Sequence, residues 1–251
     1  MPAAYDTYNY PSYWEGREYE HQSEIIALEA FLEKIKSINT IYDLGSGYGR
    51  LIPTFKHRAK KIYITDPSAK LLKIARSKHK DKHIEYIQSK IENLPQKLFK
   101  KKADLIIFIR VAHHIEDIDE VLQIIKKLSK NNGYFIFEFA NKKHIKATFC
   151  EFFKGNLTFP LEIFPKDLRS KRSKKKKVLP FLNYHPDDID KKLDDLGFDI
   201  VEKRSISNIR NTFLKNSLPL EFLLSIESFL QKPLAKVCFG PSMFYLCHNR
   251  G

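Results

Sequence analysis

Three glycines directly after an apolar run constrain this chain more than any other feature of its sequence. The run Thr40-Ile41-Tyr42 ends at Asp43, and Gly45, Gly47 and Gly49 follow at alternate positions. Glycine has no Cβ and accepts positive φ, so a strand that turns through such residues into a helix brings bare backbone close to a ligand. The stretch therefore predicts a ligand-binding loop, with a merely tight connection as the alternative.

The spacing of the glycines narrows the choice of ligand. A dinucleotide fingerprint would need a glycine at Arg50, and a phosphate loop would need a Gly-Lys-Ser/Thr that the chain lacks. The observed pattern is Asp-x-Gly-x-Gly-x-Gly, and here the sequence resembles the class I S-adenosylmethionine (SAM) dependent methyltransferases. The resemblance implies that Asp43 faces the cationic methionine end of SAM. It also implies that the loop approaches SAM through Gly45, Ser46, Gly47 and Gly49.

A second acid follows the next apolar run. The predicted strand Ile62–Thr65 ends at Asp66, and Pro67 follows. An acid in this position, a little over twenty residues beyond Asp43, binds ribose hydroxyls in open α/β sheets, because one carboxylate accepts two hydrogen bonds. Asp66 and Pro67 also resemble the second motif of the methyltransferases and are predicted to bind SAM. An acid that only caps the following helix is the alternative.

The segment after the third predicted strand, Ile84–Ile87, departs from the family. The family commonly has Gly-Asp-Ala-Glu-x-Leu-Pro here, and its aspartate contacts the adenine amino group. This chain has Lys90 instead, and an ammonium group cannot accept that hydrogen bond. We therefore expect adenine to be bound by backbone groups near Ile91 or by a neighbouring residue.

The run Asp104–Ile109 predicts a strand buried on both faces of a parallel sheet, and the residues after it border the ligand crevice. Arg110 is predicted to contact the cofactor. His113 and His114 resemble the Leu-His-His-Leu segment of small-molecule methyltransferases and are the catalytic candidates, because histidine exchanges a proton near neutrality. Alternatively, His114 fixes the loop by bonding the backbone. The family's motifs for methylating base amines or cytosine carbon are missing here, which argues against those acceptors.

The N-terminal segment is rich in aromatic residues and contains the only tryptophan of the chain. Tyr10, Tyr13, Trp14 and Arg17 resemble a segment that closes over the methionine end of SAM in many small-molecule methyltransferases. Tyr13 and Arg17 are therefore predicted to bind the cofactor. The alternative is that these rings only pack on the core.

Strand and helix patterns alternate through residue 139, which predicts a doubly wound α/β fold. Asn131-Asn132-Gly133 is expected to stop a helix and to lead into a strand at 134–139. Gly197 precedes a sixth strand, and 242–246 forms the last one, which in the family lies antiparallel at the sheet edge. The prediction is a mostly parallel seven-stranded sheet with helices on both faces and an antiparallel last strand.

One domain, 1–251, is expected. It comprises an N-terminal lid and helix at 1–38, a SAM-binding core at 39–140, and insertions over the acceptor site at 141–182 and 207–240. Tyr184 and His185, where the first insertion returns to the core, are predicted to contact the substrate, or else to cap a helix. The basic stretch Lys166–Lys177 is either a solvated loop or a contact for a phosphate-bearing substrate, RNA or an acidic membrane surface.

Composition adds few further constraints. The net charge of +14 indicates an anionic partner or simply a lysine-rich composition. The three cysteines are scattered and predict neither disulfides nor a metal site. No apolar run is long enough to span a bilayer, and a cytoplasmic location is expected. The resulting hypothesis is methyl transfer from SAM to a small-molecule or lipid-like acceptor by in-line displacement at the sulfonium methyl. The alternatives are an RNA or protein methyltransferase anchored by the basic loop, and a non-catalytic SAM-binding module.

Overall fold

In the computed structural model, which describes residues 10–169 and 181–251, seven strands form one mixed sheet. The strands are β1 Thr40–Leu44, β2 Lys61–Asp66, β3 Ile84–Gln88, β4 Ala103–Phe108, β5 Ser129–Ala140, β6 Phe198–Ile206 and β7 Ser242–Asn249. Their order across the sheet is β3-β2-β1-β4-β5-β7-β6. The predicted doubly wound, mostly parallel sheet is confirmed.

Helices cover both faces of the sheet. The α-helices in the described part of the chain are α1 Glu18–Leu32, α2 Ile52–Phe55, α3 Ala69–Lys78, α4 Gln96–Lys100, α5 Ile118–Leu128, α6 Ile145–Phe152, α7 Pro186–Asp195, α8 Thr212–Ser217 and α9 Leu220–Ala235. None of these described helices is long and apolar enough to cross a membrane.

Alternating residues of each central strand enter two separate cores. In β1, Tyr42 belongs to the core that also contains residues of α4, α5 and α7. Its neighbour Ile41 belongs to the core on the other face, with residues of α1, α2 and α3. Since both faces are buried, the strands are nearly continuous apolar runs, as parallel strands require.

The parallel strands place the functional residues at one edge. β1 pairs in parallel with β2 and with β4, so the carboxyl ends of all three strands lie together. The strand order reverses between β1 and β4, and a ligand crevice lies at such a switch point in doubly wound sheets. Asp43, Asp66 and Arg110 all lie at these strand ends.

The last strand is antiparallel as expected, but the predicted edge position is wrong. β7 lies between β5 and β6 and pairs antiparallel with both, and β6 occupies the edge. All six residues from Ser242 to Cys247 are buried, so β7 needs covered neighbours on both sides. β6 includes exposed Asp199 and partly exposed Lys203, which suit an edge strand.

Asn132-Gly133 does not separate helix from strand as expected. α5 ends at Leu128 and β5 begins directly at Ser129. Asn132 has φ of 61°, and the pairing with β4 shifts register between Ala103 and Leu105. The Asn-Gly pair is therefore an irregularity within the strand, where asparagine tolerates the left-handed conformation.

The two predicted insertions differ in where they pack. Residues 141–169 contribute α6 and the short 3₁₀ turn Phe159–Leu161, and residues 170–177 of the basic loop lie outside the described residues. In the second insertion, α9 packs on α1 and β6 through a buried face that includes Leu223 and Gln231. Ser207 and Arg210, at the start of this insertion, line a smaller cavity that is described below. The domain boundaries themselves stay a prediction.

Candidate functional site

A cavity of about 820 Å³ opens at the carboxyl ends of β1, β2 and β4. We call it the first cavity. The predicted cofactor residues that line it are Asp43, Gly45, Ser46, Gly47, Asp66, Pro67, Ile91 and Arg110. The catalytic candidate His114 lines it as well. These residues come from four separate segments of the sequence, and the sheet brings them together.

The glycine loop is fastened to the end of β2. The backbone N–H groups of Gly45 and Ser46 donate to the Thr65 carbonyl at 2.8 and 3.0 Å. Gly45 has φ of 77°, and a Cβ there would lie 2.4 Å from Cγ2 of Val111. Only glycine therefore allows the loop to lie this close to the segment after β4. The close approach exposes loop backbone to the first cavity.

Gly49 does not line the first cavity. A Cβ at Gly49 would lie 2.7 Å from Cδ1 of Ile52 and 3.1 Å from Cβ of Ala75. This glycine, predicted to bind the cofactor, instead permits the loop to pack tightly against α3. Its direct contact with SAM stays a prediction.

Asp66 connects the loop to the start of α3. Its two carboxylate oxygens accept backbone N–H groups of Gly47 and Ser68, each at 2.8 Å. The N-cap of α3 is Ser68, whose hydroxyl accepts the N–H of Leu71 at 3.1 Å. Capping is thus performed by Ser68, and the carboxylate of Asp66 is held at the wall of the first cavity.

Asp43 is buried beneath the same cavity. Burial raises the pKa of Asp43 to about 7 from an ordinary 3.8, with the Asp66 carboxylate acting in the same direction and Arg50 opposing it. A buried carboxylate of this kind gains when a cation arrives, because the cation replaces lost hydration. The site therefore fits the cationic methionine end of SAM.

The segment after β3 forms a 3₁₀ turn, Ile91–Asn93, that borders the first cavity. Lys90, which replaces the family's acid, also lines it, as do Glu92 and Asn93. The carboxylate of Glu92 can accept a hydrogen bond from the adenine amino group, whereas the ammonium group of Lys90 cannot. Glu92 is the residue directly after Ile91, where a neighbouring residue was expected to bind adenine.

Arg110 stands between the first cavity and a smaller one. Its φ is 65°, its backbone N–H donates to Glu138 at 2.7 Å, and its Nη2 donates to the Tyr13 hydroxyl at 3.1 Å. Burial disfavours the charged form, but the carboxylates of Glu24 and Glu138 outweigh this and raise the pKa of Arg110 above its usual value. Burial also raises the pKa of Glu138. Arg110 therefore remains a cation inside the site.

Glu24 and Arg50 form a buried ion pair beside this group, and neither was predicted from the sequence as a site residue. The Arg50 guanidinium also lies over the Trp14 ring, 3.6 Å from its centroid. The N-terminal aromatic segment is thereby held against the glycine loop. Glu24 lies on the buried face of α1 with Ala27 and Leu28, and this position was the available signal, because buried carboxylates are normally paired.

The second cavity, of about 260 Å³, lies on the other side of Arg110. Tyr13 and Arg17, predicted to bind the cofactor, line this cavity and not the first one. Its wall also includes Trp14, Glu138 and residues from distant segments. Those residues include His144, Arg169, Phe181, Asn183 and Arg210.

The two adjacent histidines occupy different environments. His113 is buried, lines neither cavity, and its ring centroid lies 4.0 Å from that of His114 and 4.4 Å from that of Phe181. Burial is the main cause that lowers the pKa of His113 well below its ordinary value, and the neighbouring His114, Arg110 and Arg169 lower it further. His113 is therefore neutral near pH 7, and His114 is the histidine that reaches the first cavity.

Tyr184 and His185, the predicted substrate residues, line neither cavity. The buried Tyr184 hydroxyl donates to the Ile115 carbonyl at 2.6 Å. His185 Nδ1 accepts the N–H of Asp187 at 3.2 Å and caps α7. The structure thus places both side chains in contacts that hold the returning segment on the core.

The strand order, the glycine loop and the acid at the end of β2 agree with the class I SAM-dependent methyltransferases that the sequence resembles. The sequence model of the family described as "Methyltransferase domain" matches residues 42–137, the segment from β1 into β5. The match covers less than half of the chain and indicates a methyltransferase domain in this segment. Among curated proteins, none matches the sequence of this chain significantly.

Solved structures share the fold at low sequence identity. One is a methyltransferase solved in complex with the Trm112 activator of Haloferax volcanii, with 13% identity, a TM-score of 0.67, and coverage of 99% of this chain and 96% of that one. Another is a SAM-dependent methyltransferase of Thermotoga maritima, with 14% identity, a TM-score of 0.63 and 98% of both chains covered. A third, from Listeria monocytogenes, has 16% identity and a TM-score of 0.60, with 92% of this chain and 99% of that one covered.

Proposed function

We propose that the enzyme transfers the methyl group of SAM to a small-molecule or lipid-like acceptor that binds in the second cavity. The observation that supports this proposal is the position of Arg110, which lines both cavities. A cavity of about 260 Å³ suits a small molecule or one group of a larger molecule.

When bound, SAM supplies a methyl group on a cationic sulfur, which a nucleophile of the acceptor displaces in line. Because the leaving sulfur is already cationic, the residues of this chain mainly position the reactants and exclude water. Asp43 would hold the cationic end, and Asp66 together with the bare backbone at Gly45 and Gly47 would hold the adenosyl end.

In this proposal, His114 accepts the proton that the nucleophile of the acceptor loses. Of the two predicted histidines, it is the one that lines the first cavity, whereas His113 is buried behind it. His113 contributes by supporting the His114 ring from one side, at 4.0 Å between centroids. Its position at the first cavity, where the sulfonium methyl would lie, supports this role, because a general base must reach the reacting group.

The test is incubation of the full chain with methyl-labelled SAM and a fractionated metabolite and lipid extract. The proposal expects label in a small-molecule or lipid fraction, and expects Asp66→Ala to abolish that label. Label that enters only RNA or protein would contradict the proposed acceptor class. Retained binding of SAM without label in any fraction would favour the non-catalytic alternative.

A lipid-like acceptor is favoured by an exposed apolar surface on the first insertion. Large apolar side chains between Ile145 and Phe164 face outward, including Phe153 at 82% exposure and Leu161 at 78%. Surfaces of this kind usually mark an interaction with lipid or protein. If lipid is the acceptor, Phe153→Ser should lower transfer to a lipid fraction, whereas the equally exposed Phe229→Ser on α9 should not.

The alternative of an RNA or protein acceptor depends on the basic stretch Lys166–Lys177. In its described part, Lys166 lies near the carboxylates of Glu151 and Glu162, and Arg169 pairs with Asp167. Replacing Lys174–Lys177 by glutamine should leave transfer to a small molecule intact. Loss of RNA or protein labelling in that variant, with steep salt dependence, would instead support the anchor role.

A further inference from the structure

The wall of the second cavity contains more cationic than acidic side chains. Four arginines line it, namely Arg17, Arg110, Arg169 and Arg210. The acids of its wall have partners of their own. Glu20 pairs with Lys215, Glu24 pairs with Arg50, and Glu138 accepts bonds from Ser242 and from the Arg110 backbone.

Arg17 and Arg210 make no ion pair with any described residue. Arg17 lies over the Tyr13 ring at 4.3 Å from its centroid, and both guanidinium groups belong to exposed residues at the cavity. Arg169, by contrast, is paired with Asp167 at 2.8 Å. Arg17 and Arg210 thus provide two positive charges at the cavity that carboxylates of the described chain do not neutralise.

Arg110 adds a buried donor at the boundary of the two cavities. Its Nε is buried and has no hydrogen-bond partner, and the nearest Glu24 oxygen lies 3.9 Å away, beyond hydrogen-bond distance. A buried N–H of a charged group that lacks a partner is unfavourable. A ligand oxygen near this boundary would satisfy it.

His144 supplies a donor of a different kind. Its Nδ1 accepts the N–H of Ala147 at 3.2 Å, so the neutral ring carries its proton on Nε2. Burial, Arg210 and Lys146 lower the pKa of His144 to about 4, so the ring is neutral at pH 7. The ring therefore suits hydrogen-bond donation through Nε2 better than proton abstraction.

We propose that the small-molecule or lipid-like acceptor carries a carboxylate or phosphate group, and that Arg17 and Arg210 bind this anion with His144 as an additional donor. Guanidinium groups bind both anions through paired N–H donors. Tyr13, Trp14 and Phe181 supply apolar walls for the rest of the molecule. The proposal rests on the proposed function, because it names the acceptor class for the same second cavity.

The experiment titrates the full chain, saturated with S-adenosylhomocysteine (SAH), with inorganic phosphate, benzoate and benzamide in a calorimeter. Benzamide has nearly the shape of benzoate without its charge. The proposal expects binding of phosphate or benzoate at least about tenfold tighter than that of benzamide, as expected for charge-assisted bonds. Comparison of the two anions distinguishes a phosphate from a carboxylate acceptor. Equal affinity for benzoate and benzamide, with no phosphate binding, would overturn it.

The variants Arg17→Gln and Arg210→Gln should each weaken the preferred anion about tenfold, and the matched Arg76→Gln on α3 should leave it unchanged. SAH affinity should stay within about twofold in all three, which shows that each variant is folded. Unchanged anion affinity in both cavity variants, or an equal loss in Arg76→Gln, would contradict the proposal. Failure of SAH to bind the unaltered chain would instead contradict the proposed function.

Discussion

Asp43 links the stability of the ligand-free protein to its affinity for the cofactor. Its pKa of about 7 exceeds the ordinary 3.8 by about three units, and burial is the main cause. At 1.36 kcal/mol per unit, ionised Asp43 destabilises the folded state by roughly 4 kcal/mol relative to a neutral group. The substitution Asp43→Asn removes this penalty, because an amide does not ionise.

The sign follows from proton binding. A raised pKa means that the folded state binds the proton more tightly than the unfolded state does, so stability falls as pH rises from about 4 to about 7. Above the folded pKa, the destabilisation is complete. Ligand-free Asp43→Asn should therefore be more stable than the unaltered protein by roughly 2–4 kcal/mol at pH 8 and nearly equal to it at pH 4.

Thermal and urea unfolding across this pH range measure the difference. For a chain of this size, 2–4 kcal/mol corresponds to a rise in Tm of roughly 5–15 °C at pH 8. The same variant should bind SAH at least about tenfold more weakly, because it loses the charge that faces the cationic end. Equal stability at pH 8, or a stability difference that does not change with pH, would refute the reasoning.

Two further substitutions test the local geometry. Gly45→Ala places a Cβ 2.4 Å from a Val111 methyl at positive φ and should cost about 1–3 kcal/mol of stability and weaken SAH binding at least tenfold, measured by unfolding and calorimetry. The control is Gly16→Ala, where φ is also positive but the added Cβ meets no atom within 4 Å. This substitution should lower the free energy of unfolding by about 1 kcal/mol and leave SAH affinity unchanged. Equal effects of the two substitutions would contradict the steric argument. Tyr184→Phe removes the hydroxyl bond to the Ile115 carbonyl and should lower the free energy of unfolding by about 1–3 kcal/mol while SAH affinity and kcat stay unchanged. A large loss of kcat at full stability would instead support the predicted substrate role of Tyr184.

The sequence predicted those parts of the site that lie next to each other along the chain. Gly45 follows the run that forms β1, and Asp66 follows the run that forms β2, so strand ends alone place both at one edge of the sheet. Gly49 shows the limit of such reasoning. The motif includes it, but its neighbours are Ile52 and Ala75, and only the packed structure shows them.

Residues paired across long stretches of sequence were not predictable. Glu24 and Arg50 form an ion pair between α1 and the glycine loop, and Glu138 accepts the backbone N–H of Arg110 from a neighbouring strand. Arg210 reaches the second cavity from a loop after β6. The position of Glu24 in α1 indicates that it needs a partner, but no local pattern names the partners in these contacts, because each depends on how separate elements pack.

The position of β7 was missed for a related reason. A run of buried residues predicts a strand but does not say which strands flank it. The last strand was expected at the edge, whereas the more polar β6 takes that place. Tyr184 and His185 were expected either at the acceptor site or at a helix cap, because the chain returns to the core there. Their side chains bond the backbone of Ile115 and of Asp187, and the substrate role stays a prediction.

Calorimetric titration of the full chain with SAH, compared between the unaltered protein and Asp66→Ala, tests the central claim most directly. The account predicts one SAH per chain, and a loss of affinity of at least about 100-fold in the variant, because two charge-assisted bonds to ribose hydroxyls disappear. A thermal melt of each protein without ligand confirms folding. No heat with the unaltered chain, or equal affinity in a folded Asp66→Ala, would contradict the assignment of this crevice to SAM.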